Sequence, residues 1–232
     1  MFCQVTSQHR IPASHIIKAG KGADQVSVGP VIIMRSVAAW VITFALGCAS
    51  GASVAPHAIP ASLTVVFQFD GPHSEKSFQE MKQELGAILK GSGIQIDWRE
   101  RNQVSSSESF SNLVVVKFRG ACKIDLAAER YAETGPLAFT HTSDGAILPF
   151  SEVECDRVRS TLLHALPGQI HGHSEIIYGR AMARVLAHEL YHVLAGTESH
   201  SRQGLTQRAL SGVDLASDQL ELEPDQLNLM RR

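Results

Sequence analysis

Apolar positions recur along this chain with two periods, and where each period holds decides the elements. LTVVFQF, from Leu63 to Phe69, is apolar and β-branched and predicts a strand, followed by a turn at DGPHS. Between Ser74 and Gly91 the apolar residues Phe78, Met81, Leu85, Ile88 and Leu89 fall at the i, i+3, i+4, i+7 spacing of an amphipathic helix, with Ser74 as N-cap and Gly91 as stop. In IQIDW, Ile94, Ile96 and Trp98 alternate with polar neighbours, the mark of a half-buried strand, and NQVSSSESFSN is a polar loop. The continuous apolar run of LVVVKF predicts a strand enclosed on both faces. LAFTHT and ILPFSEVEC flank Ser-Asp-Gly and predict a hairpin.

RVRSTLLHAL predicts a short helix ending before Pro167 and Gly168, and a histidine-containing loop, GQIHGHS, leads into a last long helix from Glu175 to Ala195. Before its final turns that helix carries only Arg180 and Arg184 as basic residues, so it is largely enclosed, and Gly196 stands just past its end. Beyond Gly204 the chain is polar and mixed, with Pro224 as an interruption, and reads as a short helix plus loop.

Composition narrows the setting. At 232 residues and 44% hydrophobic, the chain is long enough for one well-buried domain. Its 21 basic and 23 acidic residues leave no basic stripe to neutralise phosphates, which argues against a nucleic-acid partner. The stretch MRSVAAWVITFALGCASGASVAPHA has Met34 and Arg35, an apolar run from Val37 to Gly47 and then small residues. That is the layout of a signal peptide over residues 34–58, with a mature start between Ala49 and Ala58. Residues 1–33 lack periodicity and are read as a disordered upstream extension or start-site artefact outside the fold; residues 59–232 form a single domain. The protein is expected to be exported, whether periplasmic, envelope-associated or secreted. It is expected to be a monomer, membrane-bound only if the segment stays as an uncleaved anchor or is lipidated at Cys48. Cys3 and Cys48 fall in the discarded part, so Cys122 and Cys155 are expected to form a disulfide in an oxidising compartment.

The chemistry concentrates in AHELYHVLAGTESHSRQG, Ala187 to Gly204. His188 and His192 lie four apart on a helix, so both rings project from one face about 6 Å apart along the axis and can reach one ion. Glu189 is rotated by roughly 100° from His188, near enough to serve a metal-bound water without ligating the metal. Neutral imidazoles suit Zn²⁺, and three protein ligands leave a position for water, whose proton a carboxylate can take. A third ligand must follow the turn at Gly196, and His200 is the natural candidate. An HExxH match arises by chance in roughly one chain in thirty of this composition. The helical context, the following Gly and a third His within reach are separate requirements. His171 and His173, in a Gly-containing loop, read as solvated; Tyr191 reads as packing; Tyr178 lies too far upstream to act on a substrate.

This stretch is similar to the zincin metallopeptidases and within them looks most like the metzincins, whose signature is HExxHxxGxxH. It looks closer still to a group of exported bacterial proteins with the pattern HExxHxxxGTxxHS. The chain has one residue more before the Gly than metzincins and one more after it. The resemblance implies an α+β, metzincin-like fold: a twisted mixed sheet with a backing helix, an active-site helix beneath the sheet's lower edge and a small irregular C-terminal part. The order of predicted strands and helices agrees. It also implies one Zn²⁺ ion held by His188, His192 and His200, with Glu189 as general base: a zinc metalloendopeptidase acting on peptide or protein substrates. Glu198 matches the metzincin ligand by offset, and counting from Gly196 leaves a near tie, but three neutral imidazoles leave the ion its full charge, which favours His200. No Met-containing turn is assigned, because beyond the motif the only Met is Met230. The strands from Leu137 to Cys155 offer an edge for an extended substrate. The rival readings are a non-catalytic zinc module, its fourth position closed by Glu198 or a tail carboxylate, and an envelope-associated interaction protein with a degenerate site.

Overall fold

The computed structural model describes residues 2–4, 62–125, 135–168 and 172–231. The expected signal segment, residues 34–58, and the upstream extension beyond residue 4 lie outside the described residues. The architecture is α+β. Strands β1 (Phe2–Gln4), β2 (Ser62–Phe69), β3 (Gln95–Glu100), β4 (Leu113–Arg119), β5 (Pro136–Ser143) and β6 (Ala146–Glu154) form one mixed sheet in the order β1-β5-β6-β4-β2-β3. β2 is parallel to β3 and β4, and β4 to β6, whereas β5 runs antiparallel to β6. The hairpin turns at Asp144 and Gly145, with φ of 50° and 79°, the pair of positive φ values that a two-residue turn matching strand twist requires.

Two sequence expectations are corrected among the strands. Residues 2–4 are not outside the fold: β1 pairs antiparallel with β5, Phe2 opposite Phe139 and Gln4 opposite Pro136. Three residues are too few to show a periodicity, so their edge pairing left no sequence signal. β4 is not enclosed on both faces. Val114, Val116 and Phe118 are buried, while Leu113, Val115 and Lys117 are only half-buried. Valines suit a pleated surface whether or not both faces are covered, so an apolar run overstates burial.

The helices are α1 (Glu75–Leu89), α2 (Cys155–Ala165), α3 (Ser174–Ala195), α4 (Gly212–Ala216) and α5 (Pro224–Leu229). Alternate residues of β2 and β4 pack against α1: the Phe67 and Phe78 rings are 4.7 Å apart, and Phe118 lies 6.0 Å from Phe78. Ser74 caps α1 as expected, accepting from the Ser77 amide. The stop is not Gly91. The Ser92 hydroxyl donates to the Leu89 carbonyl (2.6 Å) and accepts from the Ile94 amide (3.1 Å), tightening the end into a 3₁₀ turn, and the left-handed residue is Gly93 at φ 71°. α3 packs along α1, and Gly179 sets their spacing. A Cβ there would sit 2.6 Å from the Ser77 carbonyl oxygen, so only glycine admits this approach.

From Tyr178 to His192 nearly every residue of α3 is buried. Arg184, 2% exposed, is neutralised by Glu84 at 2.9 Å and donates to the carbonyls of Asp214 and Leu215, fastening the tail to the helix. Pro224 does not interrupt the tail but opens α5, where its missing N–H costs nothing. Cys122, after β4, and Cys155, at the start of α2, are joined by a disulfide with Cα atoms 4.9 Å apart. Closing a 33-residue separation contributes about 3 to 4 kcal/mol in the chain-entropy account.

Candidate metal centre

One helical turn brings His188 and His192 together, with ring centroids 4.7 Å and Nε2 atoms 3.0 Å apart. α3 then ends at Gly196, whose φ of 58° and ψ of 38° are left-handed, and the chain turns back. That turn sets the His200 ring 5.2 Å from His188 and 4.9 Å from His192. One ligand atom from each of the three lies within 4.8 Å of the others. Glu198, the competing ligand, is exposed and is not part of this group.

The rings on the helix are oriented by main chain. His188 Nδ1 donates to the Leu205 carbonyl (2.9 Å) and His192 Nδ1 to the Thr197 carbonyl (2.7 Å). With the proton on Nδ1, each neutral ring turns a lone pair at Nε2 towards the other, an arrangement that a cation relieves. Burial, reinforced by the neighbouring His192 and His200, drives His188 down to about 3. His192 is also lowered by burial, and His200 falls to about 4 through burial and the nearby His192 and Arg208. All three are therefore neutral at pH 7, the form that binds metal.

Glu189 is 1% exposed, and burial pushes its carboxyl up to about 7, only partly offset by a hydrogen bond from Thr140. Thr140 Oγ1 donates to Glu189 Oε2 (2.7 Å) and lies 2.9 Å from the Ser151 hydroxyl across the β5–β6 register. Glu189 Oε1 and both His200 ring nitrogens are buried without a hydrogen-bond partner among the described residues. Unpaired polar atoms of this kind cost about 1 to 3 kcal/mol each, and a divalent cation with its water fits this donor set, so the residues present suit zinc.

Tyr178 is fully buried and donates to the Cys155 carbonyl, away from the histidines. Tyr191 is buried, its ring 5.6 Å from that of His192. His173 is exposed ahead of α3, and His171 lies outside the described residues. Sequence reasoning missed Thr140, Ser151 and the carbonyls of Thr197 and Leu205. Thr140 left one trace, a polar residue at an inward position of a strand; the carbonyls left none.

Neither the models of known protein families nor the curated proteins and solved structures compared with the chain give a match. Geometry and chemistry carry the functional reading.

Proposed function

We propose that this chain is an exported zinc-dependent metalloendopeptidase of the zincin class, with a metzincin-like arrangement of sheet, backing helix α1 and active-site helix α3. The reading rests on one observation: three neutral imidazoles converge, and Glu189, next to His188 on the same helix, is buried with an unpaired oxygen. His188, His192 and His200 would hold the ion. When bound, zinc supplies a Lewis acid and brings the pKa of a coordinated water to about 7. Glu189 takes the water proton and returns it to the leaving amine, and Thr140 holds one of its oxygens so that the other faces its task. An extended peptide adds to β5 by main-chain hydrogen bonds in the place that β1 takes in this structure; the antiparallel pairing of β1 supports this, since it is the geometry of an added strand. Export is supported by the disulfide, and no helix among the described residues is long and apolar enough to cross a membrane.

A closed structural zinc site needs a fourth protein ligand, and among the described residues the group holds three. The test is elemental analysis of the purified chain and its Glu189→Ala variant, with both assayed on a broad peptide library. One zinc per chain in both, with hydrolysis by the unaltered protein alone, is the expected result; loss of zinc from Glu189→Ala would make Glu189 a ligand and overturn the mechanism. In the same assay His200→Ala lowers zinc affinity by orders of magnitude, and Glu198→Ala costs at most about 10 to 100-fold.

A further inference from the structure

The third histidine is the one ligand that no helix holds, so something else must fix it. Ser201, next to His200, donates its amide to the Thr206 carbonyl (3.1 Å) and forms an isolated bridge with Gln207. Thr206 is fully buried, and its hydroxyl joins a chain of hydrogen bonds running one way. Gln226 Nε2 donates to Thr206 Oγ1 (2.6 Å), Thr206 Oγ1 donates to Ser201 Oγ (2.9 Å), and Ser201 Oγ donates to the Gln203 carbonyl. Gln226, 9% exposed, is itself fixed by the Glu223 amide, which donates to its Oε1 (2.9 Å). Leu205 donates its amide to the Glu221 carbonyl (3.2 Å), and the Leu205 carbonyl orients His188. Thr206 thus stands between the residue that orients one ligand and the strap that carries another, tied on both sides to the C-terminal segment.

We propose that Thr206 and Gln226 are positioning residues of the metal site, and that through them the C-terminal segment holds His200 within ligating distance of His188 and His192. The inference rests on the metal reading above. A buried polar chain that served only stability would satisfy its own donors and leave ligation alone; this one ends on the loop of His200, whose two ring nitrogens have no other partner among the described residues. Preorganised ligands lose less freedom on binding, so loosening the strap weakens affinity without removing a ligand.

The experiment uses the full chain with zinc, titrated against a chromophoric chelator, and with cobalt, whose visible absorption reports coordination geometry. Thr206→Val keeps the volume and breaks the hydrogen-bond chain. It is expected to bind zinc about 10 to 100-fold more weakly, with an altered cobalt spectrum, and Thr206→Ser is expected to restore both. Val116→Ala, in the core on β4, lowers thermal stability and is expected to leave zinc affinity unchanged. Should Thr206→Val fail to fold, Gln226→Met carries the test, with a roughly tenfold loss expected. Equal affinity and an unchanged cobalt spectrum in the variants would overturn the proposal, as would a loss of affinity in Val116→Ala as large as theirs. If the unaltered chain takes up neither metal, the site reading falls and this inference with it; if it loads and the variants load equally, only this inference falls.

Discussion

Two buried glutamates pack against the β5–β6 ribbon, one on each side, and their surroundings act on them in opposite directions. On the side away from α3, the Glu152 side chain is 9% exposed; burial alone would raise its carboxyl. Hydrogen bonds from Arg119 (2.8 Å) and His141 (3.1 Å), with the charge of Arg119, outweigh burial and hold it below the usual carboxylate range. On the side facing α3, Glu189 has a neutral threonine for its partner and is pushed up to about 7. Adjacent residues of one strand pair, Thr140 with Ser151 and His141 with Glu152, make the difference. An acid compensated by a cation and hydrogen-bond donors of the fold is structural; an acid left uncompensated on the helix that carries His188 and His192 suits a site completed by a cation from outside.

The largest effect expected separates the two acids by activity. Glu189→Gln removes the group assigned to move the proton and is expected to lower kcat/KM about 10²- to 10⁴-fold on any peptide the protein cleaves, with zinc retained. Glu152→Gln is expected to leave both within about twofold. Comparable losses from the two variants would erase the distinction between them.

This contrast was half legible in the sequence. The helical spacing of His188, Glu189 and His192 is local, so it could be read from four-residue offsets, and Gly196 announced the turn that follows. The hairpin was legible because Asp144 and Gly145 are turn chemistry. What could not be read is what long-range packing decides. The partner of Glu189 comes from 49 positions earlier, and no local period points from Thr140 to a helix yet to be made. The same holds for Leu205 and Thr206, whose roles depend on where the tail packs, and for Gly93, where a serine hydroxyl moved the helix stop by two residues. His200 was reachable because ligand chemistry distinguishes it from Glu198 where counting does not.

A stability scale for both sides of the ribbon comes from the disulfide. Cys122 and Cys155 pin the end of β6 and the start of α2 to the segment after β4. Replacing both by serine is expected to cost about 3 to 4 kcal/mol in urea unfolding. Zinc affinity of the fraction still folded should be unchanged, since neither cysteine touches a ligand. If metal binding falls with stability, the centre is less independent of the ribbon's anchoring than its contacts indicate.

Next in size is Thr140→Val, which keeps the side-chain volume and removes the donor to Glu189. It leaves Oε2 as unpaired as Oε1, at a cost of about 1 to 3 kcal/mol in the metal-free protein. Zinc added in excess is expected to recover part of the loss, because a bound cation compensates the carboxylate that Thr140 no longer serves. Equal stability of Thr140→Val and the unaltered chain without metal would mean that Glu189 does not depend on this hydrogen bond.

The smallest effect belongs to the outer side, and its pH dependence identifies its origin. A carboxyl held below its unfolded value stabilises the fold at every pH above that value, and the stabilisation fades as the pH falls through the folded-state value. For Glu152 the partners lie at the surface, Arg119 being 46% and His141 37% exposed in their side chains, so solvent screens much of the attraction. Glu152→Gln is therefore expected to lower the thermal midpoint by only about 2 °C at pH 7. The difference from the unaltered chain should shrink as the pH drops below 4.5, the ordinary value for this carboxyl, and vanish once both states are protonated. Added salt should shrink it at pH 7 as well, because the Debye length falls from about 10 Å at 0.1 M to about 3 Å at 1 M. A difference that grew on acidification would mean that burial outweighs Arg119 and His141, and Glu152 would then stand with Glu189 as a raised acid, leaving the two sides of the ribbon alike.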